Sequence, residues 1–154
     1  MQQKLKVAFD NPDSGWVGLS LNYGIKTISI IASYTPSDSF LDLTNALHNL
    51  LLHNGQATVT WHCEPSEFDM YFSRTTAEIS LEISEFFDYH RGEGLGKQIF
   101  VVSGTYEDVC LPFWRALRDL QGRFSTEELN ARWHRPFPSR EIDLLTSEIR
   151  AVAK

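Results

Sequence analysis

The sequence predicts an α+β fold: an antiparallel meander sheet of about 6–7 strands, one inserted helix, and C-terminal helices packed on one face. Three observations predict it. Apolar and polar residues alternate with period two through the first part of the chain. A single helical stripe interrupts that alternation, and the last part changes to helical spacing without returning. No repeat, low-complexity tract or Pro/Ser-rich linker divides the chain, so residues 1–154 form a single domain.

Leu5, Val7 and Phe9 alternate with polar neighbours, and "DNPDSG" supplies a turn. Val17, Leu19 and Leu21 repeat the pattern up to Gly24, and Ile28, Ile30 and Ala32 resume it. Phe40, Leu43, Leu47, Leu50 and Leu51 then fall on one helical stripe, giving a helix over about 38–53. Ser39 with Asp42 reads as its capping box and "NG" at 54–55 as its stop.

Strands follow. Val59, Trp61 and Cys63 face one way, and Thr58, Thr60, His62 and Glu64 the other. Phe68, Met70 and Phe72 alternate with Asp69, Tyr71 and Ser73; Ile79, Leu81 and Ile83 alternate with Glu78, Ser80, Glu82 and Ser84. A tight turn at Arg74–Thr75 pairs Met70 with Ile79 and Phe68 with Leu81 on the buried face. On the polar face it sets Tyr71 beside Glu78 and Asp69 beside Ser80. "DYHRGEGLGKQ" is a glycine-rich, flexible connection, and "IFVVSG" is the last strand. Val109, Phe113, Leu117 and Leu120 form a helical stripe in which Pro112 sits in a first turn or breaks the segment. Ser125, three before Glu128, opens a further helix. Ser139 is the N-cap candidate of the closing one, which carries Ile142, Leu145, Ile149 and Val152 on one face.

Charge bounds the partners. Fourteen Lys and Arg against 20 Asp and Glu give a net charge of -6. The basic footprint that phosphates require is missing, which argues against nucleic acid. No run approaches the ~18 apolar residues of a membrane span, which argues against membrane insertion. Two cysteines and an N-terminus without a signal-peptide pattern point to the cytoplasm.

Several chemistries fail on spacing. "WHCEP" has the His-x-Glu-Pro look of the zinc deaminases, with His62 as ligand and Glu64 as proton shuttle. The remaining ligands would be Cys-x-x-Cys, and Cys63 and Cys110 do not form one. "RGEGLGKQ" places Arg91 where a phosphate loop needs Gly and Gln98 where it needs Ser or Thr, and it leads into a strand. The histidines, at 48, 53, 62, 90 and 134, show no metal-ligand spacing. Ser103 lacks the Gly-x-Ser-x-Gly context, and Cys110 reads as a small core residue. No catalytic residue, metal ligand or cofactor motif emerges.

Two clusters remain. Glu64, Glu67, Asp69, Glu78 and Glu82 share a sheet face that reads as open and solvated. "RWHRPFPSR" interleaves Arg132, His134, Arg135 and Arg140 with Trp133 and Phe137. It reads as an anchor for the last helix, its arginines pairing with Glu127, Glu128 or Glu141.

"ASYTPSDSFLDLTNALHNLL", "WHCEPSEFDMYFSR" and "WHRPFPSREIDLL" resemble a widespread group of uncharacterised bacterial proteins of about this length. The resemblance spans most of the chain and implies a shared fold. In type the chain is also similar to bacterial immunity proteins, which neutralise a toxin domain by plugging its site. The first functional expectation is therefore a non-enzymatic protein-binding module. Its contacts are His62, Glu64, Asp69, Tyr71, Glu78 and Glu82, with Tyr71 as aromatic anchor and the acids steering a basic partner. The alternative is a small-molecule-binding protein or weak enzyme with a site near His62 and Glu64. A homodimer through the sheet edge or face is a third use of the same surface.

Overall fold

A computed structural model of the chain describes residues 3–88, 91 and 96–153. Three strands open it: β1 (Lys6–Phe9), β2 (Trp16–Tyr23) and β3 (Lys26–Ser33). A helix, α1 (Ser39–Leu52), is inserted before β4 (Gly55–His62), β5 (Glu67–Arg74), β6 (Ile79–Phe86) and β7 (Lys97–Gly104). The chain closes with α2 (Tyr106–Val109), α3 (Leu111–Arg123), α4 (Thr126–Trp133) and α5 (Ser139–Val152). The seven strands pair antiparallel in sequence order. This is the α+β meander that the alternation predicts. Among the described residues no helix is long and apolar enough to cross a membrane.

The period-two pattern puts Val17, Leu19, Leu21, Ile28, Ile30, Val59, Trp61, Met70, Phe72, Leu81, Ile83, Phe100 and Val102 on one inner face. The buried stripes of α1, α3 and α5 close it. Phe40 lies at the centre, its ring within 4.8–5.8 Å of Trp133, Phe9, Phe137 and Trp61. Each such tilted or edge-on pair adds about 0.5–1.5 kcal/mol beyond area burial. Tyr23 of β2 meets Phe100 of β7 edge-on at 5.9 Å, so the sheet curls until strands far apart in its order touch across the inner side. Among the described residues no helix lies on the convex outer face, where Thr27, Ser29, Ile31, Thr58, Glu82, Val101 and Ser103 are exposed.

One seam interrupts the ladder. β3 and β4 pair only at Ser33 opposite His62, whereas β4 and β5 pair along their full length. The insertion of α1 between β3 and β4 lies behind this: β4 is aligned by its own contacts with the helix, and Ser39 Oγ donates to Thr60 O at 2.5 Å.

Local details differ from the sequence expectations. Asp38, not Ser39, caps α1, accepting from Leu41 N at 3.3 Å, because the Ser39 hydroxyl is taken by β4. The helix ends at an extended His53, and Gly55 opens β4. The stripe from Val109 to Leu120 breaks at Cys110, with Pro112 in the first turn of α3. Ser125 does cap α4, accepting from Glu128 N, but Pro138 stands at the N-cap of α5 while Ser139 Oγ contacts Thr126 Oγ1.

The β5–β6 connection is longer than a tight turn: Thr75 N donates to Glu78 O, and Glu78 stays in the loop. The register moves with it. Met70 opposes Ile83, Phe68 opposes Glu85, Asp69 opposes Ser84, and Tyr71 opposes Glu82 rather than Glu78. The glycine-rich connection ahead of β7 falls mostly on residues 89, 90 and 92–95, outside the described residues, as does His90.

Candidate binding and reactive site

On the outer face the register builds cross-strand rows over β4, β5 and β6. One runs Thr58–Tyr71–Glu82 and continues to Val101 of β7; the next runs Thr60–Asp69–Ser84; the last runs His62–Glu67–Phe86. Cross-strand neighbours on one face lie close enough to interact, so each row is a local unit.

The last two rows are not the solvated acidic surface that the alternation suggests. Glu67 and Asp69 are buried, their side chains 6% and 4% exposed, although no helix among the described residues covers them. Arg91 does. Its guanidinium stacks over the Phe86 ring at 3.9 Å and forks onto Asp69, Nη1 to Oδ2 and Nη2 to Oδ1, both at 2.7 Å. Nη2 also donates to Glu67 Oε2 at 2.9 Å. Thr60 Oγ1 donates to Asp69 Oδ1 at 2.7 Å and Tyr71 OH to Asp69 Oδ2 at 3.0 Å.

Burial alone would raise the Asp69 carboxyl. Hydrogen bonds from Arg91, Thr60 and Tyr71, with the guanidinium charge, outweigh it and hold the group below the ordinary carboxylate range. Burial first, and then the bond to an anionic Asp69, pushes the Tyr71 phenol up. The bond to Asp69, seconded by Glu67, keeps Arg91 charged against its own desolvation.

His62 joins the network at the seam. Nδ1 lies 3.4 Å from Glu67 Oε2, and Nε2 lies 2.8 Å from Ser37 Oγ in the loop before α1. That loop is braced from the other end of the chain. Arg135 donates from Nε to Tyr34 O and from Nη2 to Pro36 O, the latter at 3.1 Å. Tyr34 N donates to Gly15 O at 2.8 Å. Gly15 has φ +81°, and a Cβ there would fall 2.6 Å from Tyr34 Cδ1, so glycine is required at this close approach. Two arginines of "RWHRPFPSR" thus bind carbonyls, Arg132 that of Pro12 and Arg135 those of Tyr34 and Pro36, rather than the glutamates expected from sequence. Trp133 and Phe137 are buried as anchors.

Beside His62 an open cleft of about 690 Å³ is lined by Pro36, Glu64, Pro65, Ser66 and Glu67. The Thr35–Pro36 and Glu64–Pro65 peptide bonds are both cis, and Glu64 has φ +46°. A left-handed backbone at a non-glycine residue costs of order 1–3 kcal/mol and is commonest where a turn is held for use. A smaller hollow of about 290 Å³ lies over the exposed row, with Gln56, Thr58, Tyr71, Ser73, Ser80 and Glu82 in its lining.

The six residues singled out from sequence therefore separate. His62 and Asp69 belong to the covered network, and Tyr71 bridges that network to the exposed row, where Glu82 lies. Glu64 is exposed in the turn beside the cleft, and Glu78 lies in the distant β5–β6 loop. Sequence reasoning missed Ser37, Phe86 and Arg91. Phe86 had a signal, an aromatic at a polar-face position, which implies that something covers it. Ser37 and Arg91 are 25 and 22 residues from their partners, with no local pattern to betray them.

Burial raises the thiols of Cys63, to about 11, and Cys110, to about 12, so both are held protonated. Among the described residues no group of three or more His, Cys, Asp or Glu side chains is placed to hold a metal ion. Comparison with family models, curated proteins and solved structures finds no match to this chain.

Proposed function

We propose that the protein is a binding module that takes a basic protein partner on the outer sheet face, centred on Tyr71 and Glu82. The observation that carries this reading is the state of Tyr71. Its hydroxyl is tied to a carboxylate that Arg91 and Thr60 lock in place, so the ring is ordered before any partner arrives. Aromatic anchors fixed in advance lose little entropy on binding. A Lys or Arg side chain laid over the hollow meets the Tyr71 ring and the exposed Glu82 carboxylate together. The exposed Val101 flanks the row with apolar area. An overall charge of -6 steers such a partner in. An immunity-type role, with a toxin domain as the partner, is the version that the resemblance in type favours.

The test is a capture experiment from the source organism's lysate at low and high salt, comparing wild type with Tyr71→Ala, Glu82→Lys and Glu78→Lys. The reading expects a basic protein held by wild type and by Glu78→Lys, lost by the other two variants, and released by salt. Equal retention by wild type and Tyr71→Ala overturns it.

A further inference from the structure

We propose that Ser37, His62 and Glu67 form a nucleophilic acyl-transfer site for small carboxylic esters with an apolar acyl group. The site does not rest on the binding role above. It lies at the other end of the outer face, by the seam between β3 and β4.

The geometry is serine to imidazole to carboxylate, one partner on each ring nitrogen. Ser37 Oγ is 2.8 Å from Nε2, and Glu67 Oε2 is 3.4 Å from Nδ1. In the tautomer that carries its hydrogen on Nδ1, facing Glu67, Nε2 accepts from the Ser37 hydroxyl. Catalytic contacts are often long before substrate binds, and the Glu67 distance fits that pattern.

Each member is positioned by the fold. His62 and Glu67 are a directly opposed pair that close the β4–β5 ladder. Ser37 is fixed by the loop that Arg135 and Gly15 brace. Arg91 holds Glu67 but is shared with Asp69. Among the described residues Arg91 is the one guanidinium bonded to both carboxylates, and Glu67 lies beside the ring that takes up the proton.

The cleft supplies the rest. Pro36 and Pro65 give it apolar walls, and His62 and Glu67 form its polar side. Ser37, half-buried, adjoins it through its bond to His62 and its neighbour Pro36.

In the step itself, Ser37 Oγ bonds to the ester carbonyl carbon while its proton passes to His62 Nε2. The ester C–O bond breaks, and the alcohol leaves with that proton. Water then attacks the acyl-serine, giving its proton to Nε2, and the carboxylic acid departs as Ser37 recovers its hydrogen. Ser37 and His62 are the catalytic residues; Glu67 and Arg91 are positioning residues.

The test is labelling of the full chain with a fluorophosphonate probe, read by peptide mass spectrometry, alongside hydrolysis of p-nitrophenyl butyrate. The expected result is one adduct, on Ser37, absent in Ser37→Ala and formed about 100-fold more slowly in His62→Gln. Glu67→Gln should lower kcat for the ester while leaving KM unchanged, a split that a merely structural role would not produce. No adduct on Ser37 in the wild type overturns the proposal without recourse to any variant. So does labelling that is indifferent to His62→Gln in a variant whose melting curve matches wild type; Ser37 and His62 would then only tie a loop to a strand.

Discussion

The two faces of this sheet are closed by opposite means. On the inner face, Phe40 sits among four aromatic rings and the helices exclude water by apolar area. On the outer face, Glu67 and Asp69 are as buried as core residues, yet among the described residues the group laid over them is an arginine resting on Phe86. The difference teaches that burial without a covering helix is a sign of built electrostatics. An apolar face tolerates imperfect contacts, whereas each buried carboxylate must have its partners or cost the fold several kcal/mol.

The largest expected effect breaks the inner side. Phe40→Ala removes the central ring and should cost about 3–5 kcal/mol in urea unfolding, with the midpoint falling sharply. Next comes Arg91→Met, which leaves two buried carboxylates without their cation. About 2–3 kcal/mol is expected, less than for a fully enclosed pair because 32% of the Arg91 side chain faces water. Adding Glu67→Gln and Asp69→Asn to that variant should restore most of the loss in the same unfolding assay. If it does not, the network is not the seal.

Acid gives a smaller and more selective effect. The folded value of Asp69 is depressed, so its contribution to stability is complete above its ordinary value of 3.8 and is lost as pH falls through the folded value. Thermal melts of the wild type should therefore fall off below about pH 4, and Asp69→Asn should lack that component. The smallest effect sharpens the comparison on the exposed row. Glu82→Lys should change stability by no more than about 0.5 kcal/mol while abolishing capture of a basic partner.

Period two made the inner face legible. The apolar sets of the first six strands were readable because alternation is the direct imprint of one buried side, and the α1 stripe likewise; the unbroken run Ile99–Val102 of β7 did not show which residues turn inward. Register was less so. The linker "RTTAE" offers no Gly, Pro or Asn to fix a turn type, so a tight turn at Arg74 and a loop through Glu78 read alike, and Tyr71 was matched with the wrong glutamate. The acidic residues of β5 were identified on the right face but assigned the wrong state. Exposure depends on what crosses the face, and Arg91 arrives from a loop whose sequence carries no periodic signal. Ser37 was invisible for the same reason: its bond to His62 spans the whole of α1.

The single residue pair joining β3 to β4 has a mechanical consequence. β1–β3 and β4–β7 are separate ladders sharing one rivet, and elsewhere along the seam helix packing rather than main chain holds them in step. Amide exchange should then divide the sheet in two, each ladder opening as a unit with its own free energy. The rivet is the main chain of Ser33 and His62, so any breathing of one plate against the other pivots there and is passed through the His62 side chain to the loop bonded to it.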